Sequence, residues 1–164
     1  MPTDELKKLY AKEGKADRYF EGSTPCVLYR AQSRNDFKKD VFIMQPHPGY
    51  VKKDANGKVV KTRLPDVNIE DRDGKLVILG CRTTAGDYRG LSLFDAKVTW
   101  LGPAWINYVI PAGTEVPPSL AITKDHFIRQ YGATHYTIAP KDDMPLELFI
   151  QTLKVIANRA TLIE

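Results

Sequence analysis

Three polar side chains stand out in this sequence because each lies in an otherwise apolar or aromatic run: Arg30, Ser92 and His135. Each run is rich in the aliphatic, aromatic and β-branched residues that favour β-strands. A guanidinium, a hydroxyl and an imidazole carried by three strands can assemble a polar cleft on one sheet. Such a cleft could grip an anion and orient a ligand by hydrogen bonds.

Arg30 is the first of these candidates. Alternation along its strand places Cys26, Leu28 and Arg30 on one face and Tyr29 on the other. A guanidinium that follows buried residues on the same face is costly to bury without a partner. Arg30 could therefore form an internal ion pair or mark the point where the strand reaches the surface. Alternatively, its rigid donor fork could hold a phosphate or carboxylate at the lip of a cleft.

Ser92 lies between Leu91 and Leu93, so its hydroxyl points away from both leucines. A serine on the outward face of a sheet is also commonplace and needs no function. The segment lacks the second glycine of a Gly-x-Ser-x-Gly elbow, because Phe94 occupies that position. The sequence therefore disfavours a hydrolase nucleophile at Ser92.

His135 and Tyr136 are neighbours in a predicted strand and must face opposite sides of the sheet. Only one of them can share a face with the cleft unless the strand twists or bulges there. A lone histidine on a strand can equally be a satisfied structural residue. His47 and His126 show no metal-ligand spacing with His135, so we do not expect a zinc site.

The acidic candidates downstream of Ser92 are Glu115, Asp125 and Glu147. Glu147 falls in the first turn of a predicted C-terminal helix, where the helix dipole alone favours a carboxylate. The sequence contains no glycine-rich nucleotide motif and no Cys-x-x-Cys pair.

Composition limits the class of protein. The chain has 164 residues, a net charge of +4 and two cysteines, Cys26 and Cys81. No apolar run approaches the roughly 18 residues of a membrane span. The charged N-terminus lacks the apolar stretch of a secretory signal, so we expect any export to use a route without a cleaved signal. The scattered basic residues predict solvated loops, or a weakly positive field around an anionic substrate or acidic partner.

The predicted elements form one α+β domain over residues 1–164, a largely antiparallel sheet with short helices against it. Hydrophobic periodicity and turn dipeptides define these elements. The predicted helices are 3–13, one or two turns within 124–131, and an amphipathic helix at 145–160; the predicted strands include 24–32, 75–79, 104–110, 134–139 and a strand around Ser92.

Five segments resemble, in order, the second exported effector family of bacterial type VI secretion toxins. They are Leu28-Tyr29-Arg30-Ala31, Leu64-Pro65-Asp66-Val67, Leu91-Ser92-Leu93-Phe94-Asp95, the run from Val109 to Leu120, and Ala133-Thr134-His135-Tyr136-Thr137-Ile138. The most specific pieces are Pro-x-Gly-Thr-x-x-Pro-Pro and Thr-His-Tyr-Thr-Ile. The resemblance spans more than two thirds of the chain.

The resemblance implies a fold similar to that of ADP-ribosylating toxins and an NAD-dependent activity, either ADP-ribosyl transfer or NAD hydrolysis. It also implies cytoplasmic synthesis, delivery by a secretion apparatus into a recipient cytoplasm, an acceptor molecule there, and a cognate immunity protein that occludes the cleft. By resemblance, Arg30 would hold the NAD diphosphate and Ser92 would order the nicotinamide ribose. His135, Arg63 and Glu147 fall on positions shared with the family, and Tyr136 could help to orient the nicotinamide.

Two departures accompany the resemblance. Many toxins of this class carry Glu-x-Glu or Gln-x-Glu on a late strand, where this chain has Thr134, His135 and Tyr136. Ser92 also follows a leucine instead of a second hydroxyl residue. Glu147 could supply the missing negative group. Two alternatives stay open: a toxin without catalysis whose basic surface binds RNA or a translation component, and an inert domain.

Overall fold

The computed structural model describes residues 19–33, 50–63, 66–80 and 90–163. The predicted N-terminal helix at 3–13 lies outside these residues. The described part is mostly antiparallel β-sheet with one helix, α1 (Leu146–Ala157), which agrees with the α+β class. Its strands are β1 (Tyr19–Phe20), β2 (Leu28–Ser33), β3 (Tyr50–Lys53), β4 (Val59–Arg63), β5 (Ile69–Arg72), β6 (Lys75–Ile78), β7 (Leu91–Phe94), β8 (Trp105–Ile110), β9 (Leu120–Ile128), β10 (Ala133–Pro140), β11 (Met144–Pro145) and β12 (Thr161–Ile163).

The main sheet has seven strands in the order β1-β9-β10-β7-β2-β8-β12. Every pair of neighbours in it is antiparallel. The three strands that carry Arg30, Ser92 and His135 are β2, β7 and β10, and they are adjacent at the centre of this sheet. A three-stranded sheet, β11-β6-β5, and a β3-β4 hairpin complete the described strands.

The core explains the alternation around Ser92. Leu91 and Leu93 are fully buried, whereas Ser92 and Phe94 between and after them are half-buried. The leucines share one hydrophobic cluster with the buried side of α1, which consists of Phe149, Leu153 and Ile156. Because side chains alternate along a strand, packing the leucines into this cluster points Ser92 to the other face.

Three sequence expectations differ from the structure. The predicted helical turns within 124–131 are wrong, because β9 runs to Ile128 and pairs with β10, and only a tight turn follows. The first predicted strand, 24–32, begins later, at Leu28. The helix expected at 145–160 ends at Ala157, and a short edge strand follows it. In each case pairing with a neighbouring strand decides the outcome, which local periodicity does not encode.

Among the residues that the structure describes, no helix is both long enough and apolar enough to cross a bilayer.

Candidate functional site

A cleft of about 220 Å³ opens beside the centre of the main sheet. Its walls come from β2, from β7, from the start of β8 with the connection before it, and from the segment that precedes β5. The lining residues are Arg30, Ala31, Gln32, Ser33, Asp66, Ser92, Phe94, Trp100, Leu101 and Trp105. Two of the three polar residues singled out in the sequence therefore line one cavity, and the third contacts it through Ser92.

Arg30 links the two strands that form the wall of the cleft. Strands β2 and β7 pair at Tyr29 and Phe94. One residue further along β2, the Arg30 Nη1 atom donates a hydrogen bond to the Ser92 carbonyl oxygen over 3.2 Å. The Arg30 side chain is buried at 6% exposure, so its charge acts in a partly desolvated setting. A guanidinium held in this way combines fixed geometry with a strong field, as recognition of a phosphate group requires.

A chain of hydrogen bonds connects the cleft to a carboxylate. The Ser92 Oγ atom lies 2.9 Å from His135 Nε2. On the other side of the same ring, His135 Nδ1 lies 2.8 Å from Asp125 Oδ2. The three side chains come from β7, β10 and β9, which are consecutive in the sheet. This linear arrangement of hydroxyl, imidazole and carboxylate, which we call the relay, can transfer a proton between the cleft and His135.

Asp125 is fixed at the end of the relay by two threonines. The Thr123 hydroxyl donates to Asp125 Oδ1 over 2.9 Å, and the Thr137 hydroxyl donates to Oδ2 over 2.5 Å. Burial by itself would raise the pKa of Asp125, but the hydrogen bonds from His135, Thr137 and Thr123 outweigh it and hold the pKa below its ordinary value. Asp125 is therefore an anion at neutral pH, and its two oxygens are accounted for.

A β-bulge places Asp125 beside His135. In the register between β9 and β10, His135 pairs with His126 and Tyr136 pairs with Lys124. Asp125 is thus the extra residue of β9, without a register partner on β10. The bulge allows both Asp125 and His126 to lie on the His135 side of the sheet, since an inserted residue interrupts strict alternation.

Aromatic rings surround the relay and the cleft. Phe94 meets His135 edge-on with ring centroids 5.2 Å apart, and its other side meets Trp100 at 5.1 Å. Trp100 in turn stacks on Tyr131 at 4.4 Å with nearly parallel planes. His126 stacks on the opposite side of His135, with ring centroids 5.5 Å apart. These contacts pack the His135 ring between two neighbouring rings and line the cleft with Phe94 and Trp100.

Two of the other sequence-based candidates, Tyr136 and Glu147, are not part of the cleft lining. Tyr136 points into the core at 5% exposure, and its hydroxyl accepts a hydrogen bond from the Cys26 thiol at 3.7 Å. Burial, with the Cys26 contact, raises the pKa of Tyr136. Glu147 is exposed in the first turn of α1, and the described lining of the cleft does not include it. Arg63 ends β4, and its side chain lies outside the described residues.

Sequence reasoning placed Asp125 among three possible carboxylates without a reason to prefer it. The bulge that turns it toward His135 lies in a segment interpreted as helical. A usable signal was present, because Thr123 and Asp125 are two residues apart and share a face in a strand.

Among the described residues, no three His, Cys, Asp or Glu side chains are grouped closely enough to hold a metal ion.

Comparison with known proteins gives two matches. A family model described as Tse2 ADP-ribosyltransferase toxin matches residues 7–162. The chain is also 35% identical over 152 residues to Toxin Tse2 of Pseudomonas aeruginosa, an alignment that covers 84% of this chain and 89% of that toxin. The matched region contains the cleft and all three members of the relay. This chain therefore belongs to the Tse2 family of ADP-ribosyltransferase toxins.

Proposed function

We propose that the cleft binds NAD as a substrate and that the protein transfers its ADP-ribosyl group inside a recipient bacterium. The observation that supports this most directly is that Arg30 and Ser92 line one cavity in a chain of this family. A buried guanidinium suits a diphosphate, because it offers several donors in fixed geometry. Phe94 and Trp100 offer the flat apolar surfaces on which an aromatic ring of the substrate could lie.

In this proposal Arg30 holds the diphosphate, Ser92 contacts the nicotinamide ribose, and His135 acts through Ser92. Cleavage of the nicotinamide–ribose bond develops positive charge on the ribose, as in glycoside hydrolysis. A polarised hydroxyl near that position stabilises the charge. The core position of Tyr136 argues against a direct contact with nicotinamide, and the exposed Glu147 is best explained by the helix dipole.

We further propose that the protein is delivered by a type VI secretion apparatus and acts in the cytoplasm of the recipient. A cognate immunity protein in the producing cell would neutralise it by covering the cleft. Family membership supports this assignment, since Toxin Tse2 is named as a toxin and the family model names an ADP-ribosyltransferase.

The test is induced expression in a bacterial cytoplasm with growth and cellular NAD followed over time. We expect wild type to arrest growth and lower NAD, and Ser92→Ala to do neither at equal protein level. Ser119→Ala is the matched control, because Ser119 is exposed and belongs neither to the relay nor to the lining of the cleft. Nicotinamide release by purified protein, with and without cell lysate, distinguishes transfer from hydrolysis. Normal growth and NAD level with wild type would refute the proposal.

A further inference from the structure

We propose that Asp125 is a positioning residue that holds the His135 imidazole with its proton on Nδ1, which leaves Nε2 to accept the proton of Ser92. The catalytic consequence rests on the proposed function, whereas the tautomer itself does not. Asp125 would supply through His135 the negative charge that the late strand lacks, since Thr134 and Tyr136 flank His135 where a carboxylate would be expected.

The hydrogen-bond chemistry fixes the direction of the relay. An ionised carboxylate only accepts hydrogen bonds, so a contact of 2.8 Å with Asp125 Oδ2 requires His135 Nδ1 to be the donor. In a neutral imidazole the other nitrogen is then an acceptor. The Ser92 hydroxyl, 2.9 Å from Nε2, must therefore donate to His135. Its oxygen lone pairs are directed away from His135.

The carboxylate is itself restrained, which distinguishes positioning from a chance contact. Thr123 and Thr137 are both buried, and each donates to a different oxygen of Asp125. Rotation of the carboxylate would break both bonds. The edge contact of Phe94 and the stacking of His126 then leave the imidazole little freedom to flip.

The relay accounts for the proton in the transfer step. When water or an acceptor hydroxyl attacks the ribose, a carbon–oxygen bond forms and the carbon–nitrogen bond to nicotinamide breaks, with its electron pair leaving on nicotinamide. The proton of the attacking group passes to the Ser92 oxygen while the Ser92 proton passes to His135 Nε2. Asp125 stabilises the resulting imidazolium. The relay therefore suits a protic acceptor, because a group that is already an anion needs no base.

The first experiment measures the tautomer without NAD. The chain is labelled with ¹⁵N-histidine, and the ring nitrogens are observed at a pH where the imidazoles are neutral, with His126→Asn and His47→Asn used for assignment. We expect wild type to carry the His135 proton on Nδ1. In Asp125→Asn the carboxamide can donate to Nδ1, so the proton should shift toward Nε2. Asp95→Asn is the matched control, because Asp95 accepts a backbone hydrogen bond from Thr134 outside the relay.

The second experiment measures turnover of NAD. Asp125→Asn should lower nicotinamide release by about 10²- to 10⁴-fold, the usual contribution of general acid–base catalysis, with NAD affinity retained. Asp125→Glu, which keeps the charge, should recover part of the loss. A wild-type proton on Nε2 would overturn the inference even if Asp125→Asn fails to fold, and so would an unchanged tautomer or turnover in folded Asp125→Asn. Failure of the proposed function is distinguishable, since wild type would then leave NAD intact while showing the Nδ1 tautomer.

Discussion

Arg30 and Ser92 each make two separate contributions to the cleft. Arg30 bridges β2 and β7 through the Ser92 carbonyl oxygen and presents a positive charge to the cavity. Ser92 therefore contacts Arg30 through its backbone and His135 through its side chain. Changes at either residue are expected to affect both the shape and the electrostatics of the site.

Replacement of Arg30 separates binding from folding. Loss of a charge-assisted hydrogen bond to a diphosphate costs about 1.5–3 kcal/mol, so Arg30→Ala should weaken NAD affinity roughly 10- to 150-fold. Calorimetric titration with NAD measures the affinity, and a thermal melt checks the fold. Arg30→Lys keeps the charge but loses the planar set of donors, so its NAD affinity should lie between those of wild type and Arg30→Ala. An Arg30→Ala protein that fails to fold would instead assign Arg30 a structural role.

Asp125 should make the unfolding free energy of the protein fall as the pH becomes acidic. Its pKa is lowered in the folded protein, so the folded state binds fewer protons than the unfolded state as the pH falls. The stabilisation is complete above the ordinary aspartate pKa of about 3.9 and is lost as the pH drops through the folded value. Urea unfolding from about pH 5 downward should therefore give a shallower decline for Asp125→Asn than for wild type. Thr137→Val, which removes one donor, should be intermediate, and equal slopes for all three would contradict this account.

At the scale of elements, the sequence predicted the strands that carry Arg30, Ser92 and His135, because their apolar and β-branched runs are unambiguous. The order of those strands in the sheet could not be predicted, since periodicity gives no information about which strands pair. The bulge in β9 was missed for a related reason. Local pattern suggested helical turns near Asp125, and only pairing with β10 fixes the extended conformation.

Gly90 controls how closely β7 and β10 approach. A Cβ atom at Gly90 would lie 2.1 Å from the Ile138 carbonyl oxygen and 2.9 Å from the Ala139 Cβ atom. The nearest atoms belong mainly to the backbone, which cannot move aside as the end of a flexible side chain can. Gly90→Ala must therefore separate β7 from β10 at a point two residues before Ser92. We expect a loss of about 1–3 kcal/mol in unfolding free energy, measured by denaturant titration.

The same substitution should lengthen the contact between Ser92 and His135 and reduce NAD turnover beyond what its lower stability explains. Gly57→Asn is the control, because no atom lies within 4 Å of that Cβ position and asparagine tolerates a positive φ. Asparagine at a positive φ still costs more than glycine, so the unfolding free energy of this control should fall by up to about 1 kcal/mol, while its NAD turnover should equal that of wild type. Full activity in folded Gly90→Ala would show that strand spacing does not limit the relay.

At the scale of the whole molecule, a buried ion pair joins the edge of the main sheet to the segment after β10. Lys141 Nζ lies 3.0 Å from Glu21 Oε1, and the two side chains are only 6% and 12% exposed. Tyr19 of β1 also donates its hydroxyl to Glu21. The lining of the cleft does not include Tyr19, Glu21 or Lys141, so we expect this cluster to contribute to stability and to leave turnover unchanged.

Removing one partner of this pair should be costly. Lys141→Met leaves the Glu21 carboxylate buried without its cation, which typically costs about 3–5 kcal/mol of unfolding free energy. The double variant with Glu21→Gln should recover much of that loss, because no uncompensated charge remains. Denaturant titration of both proteins provides the measurement. Arg72→Met removes a guanidinium that is 46% exposed from its pairs with Glu70 and Asp143, so it should change stability less, and an equal effect there would contradict the role of burial.

The extra residue in β9 can be removed by deleting a single codon. Deleting the single codon for Asp125 would join Lys124 to His126 while both keep their present neighbours on β10, so the ladder would become continuous. The shortened polypeptide should keep its surface and lose its only carboxylate against His135 among the described contacts. Under the proposed function, this deletion variant should leave NAD intact, and its retained surface would make it a non-toxic probe for the immunity protein that we propose.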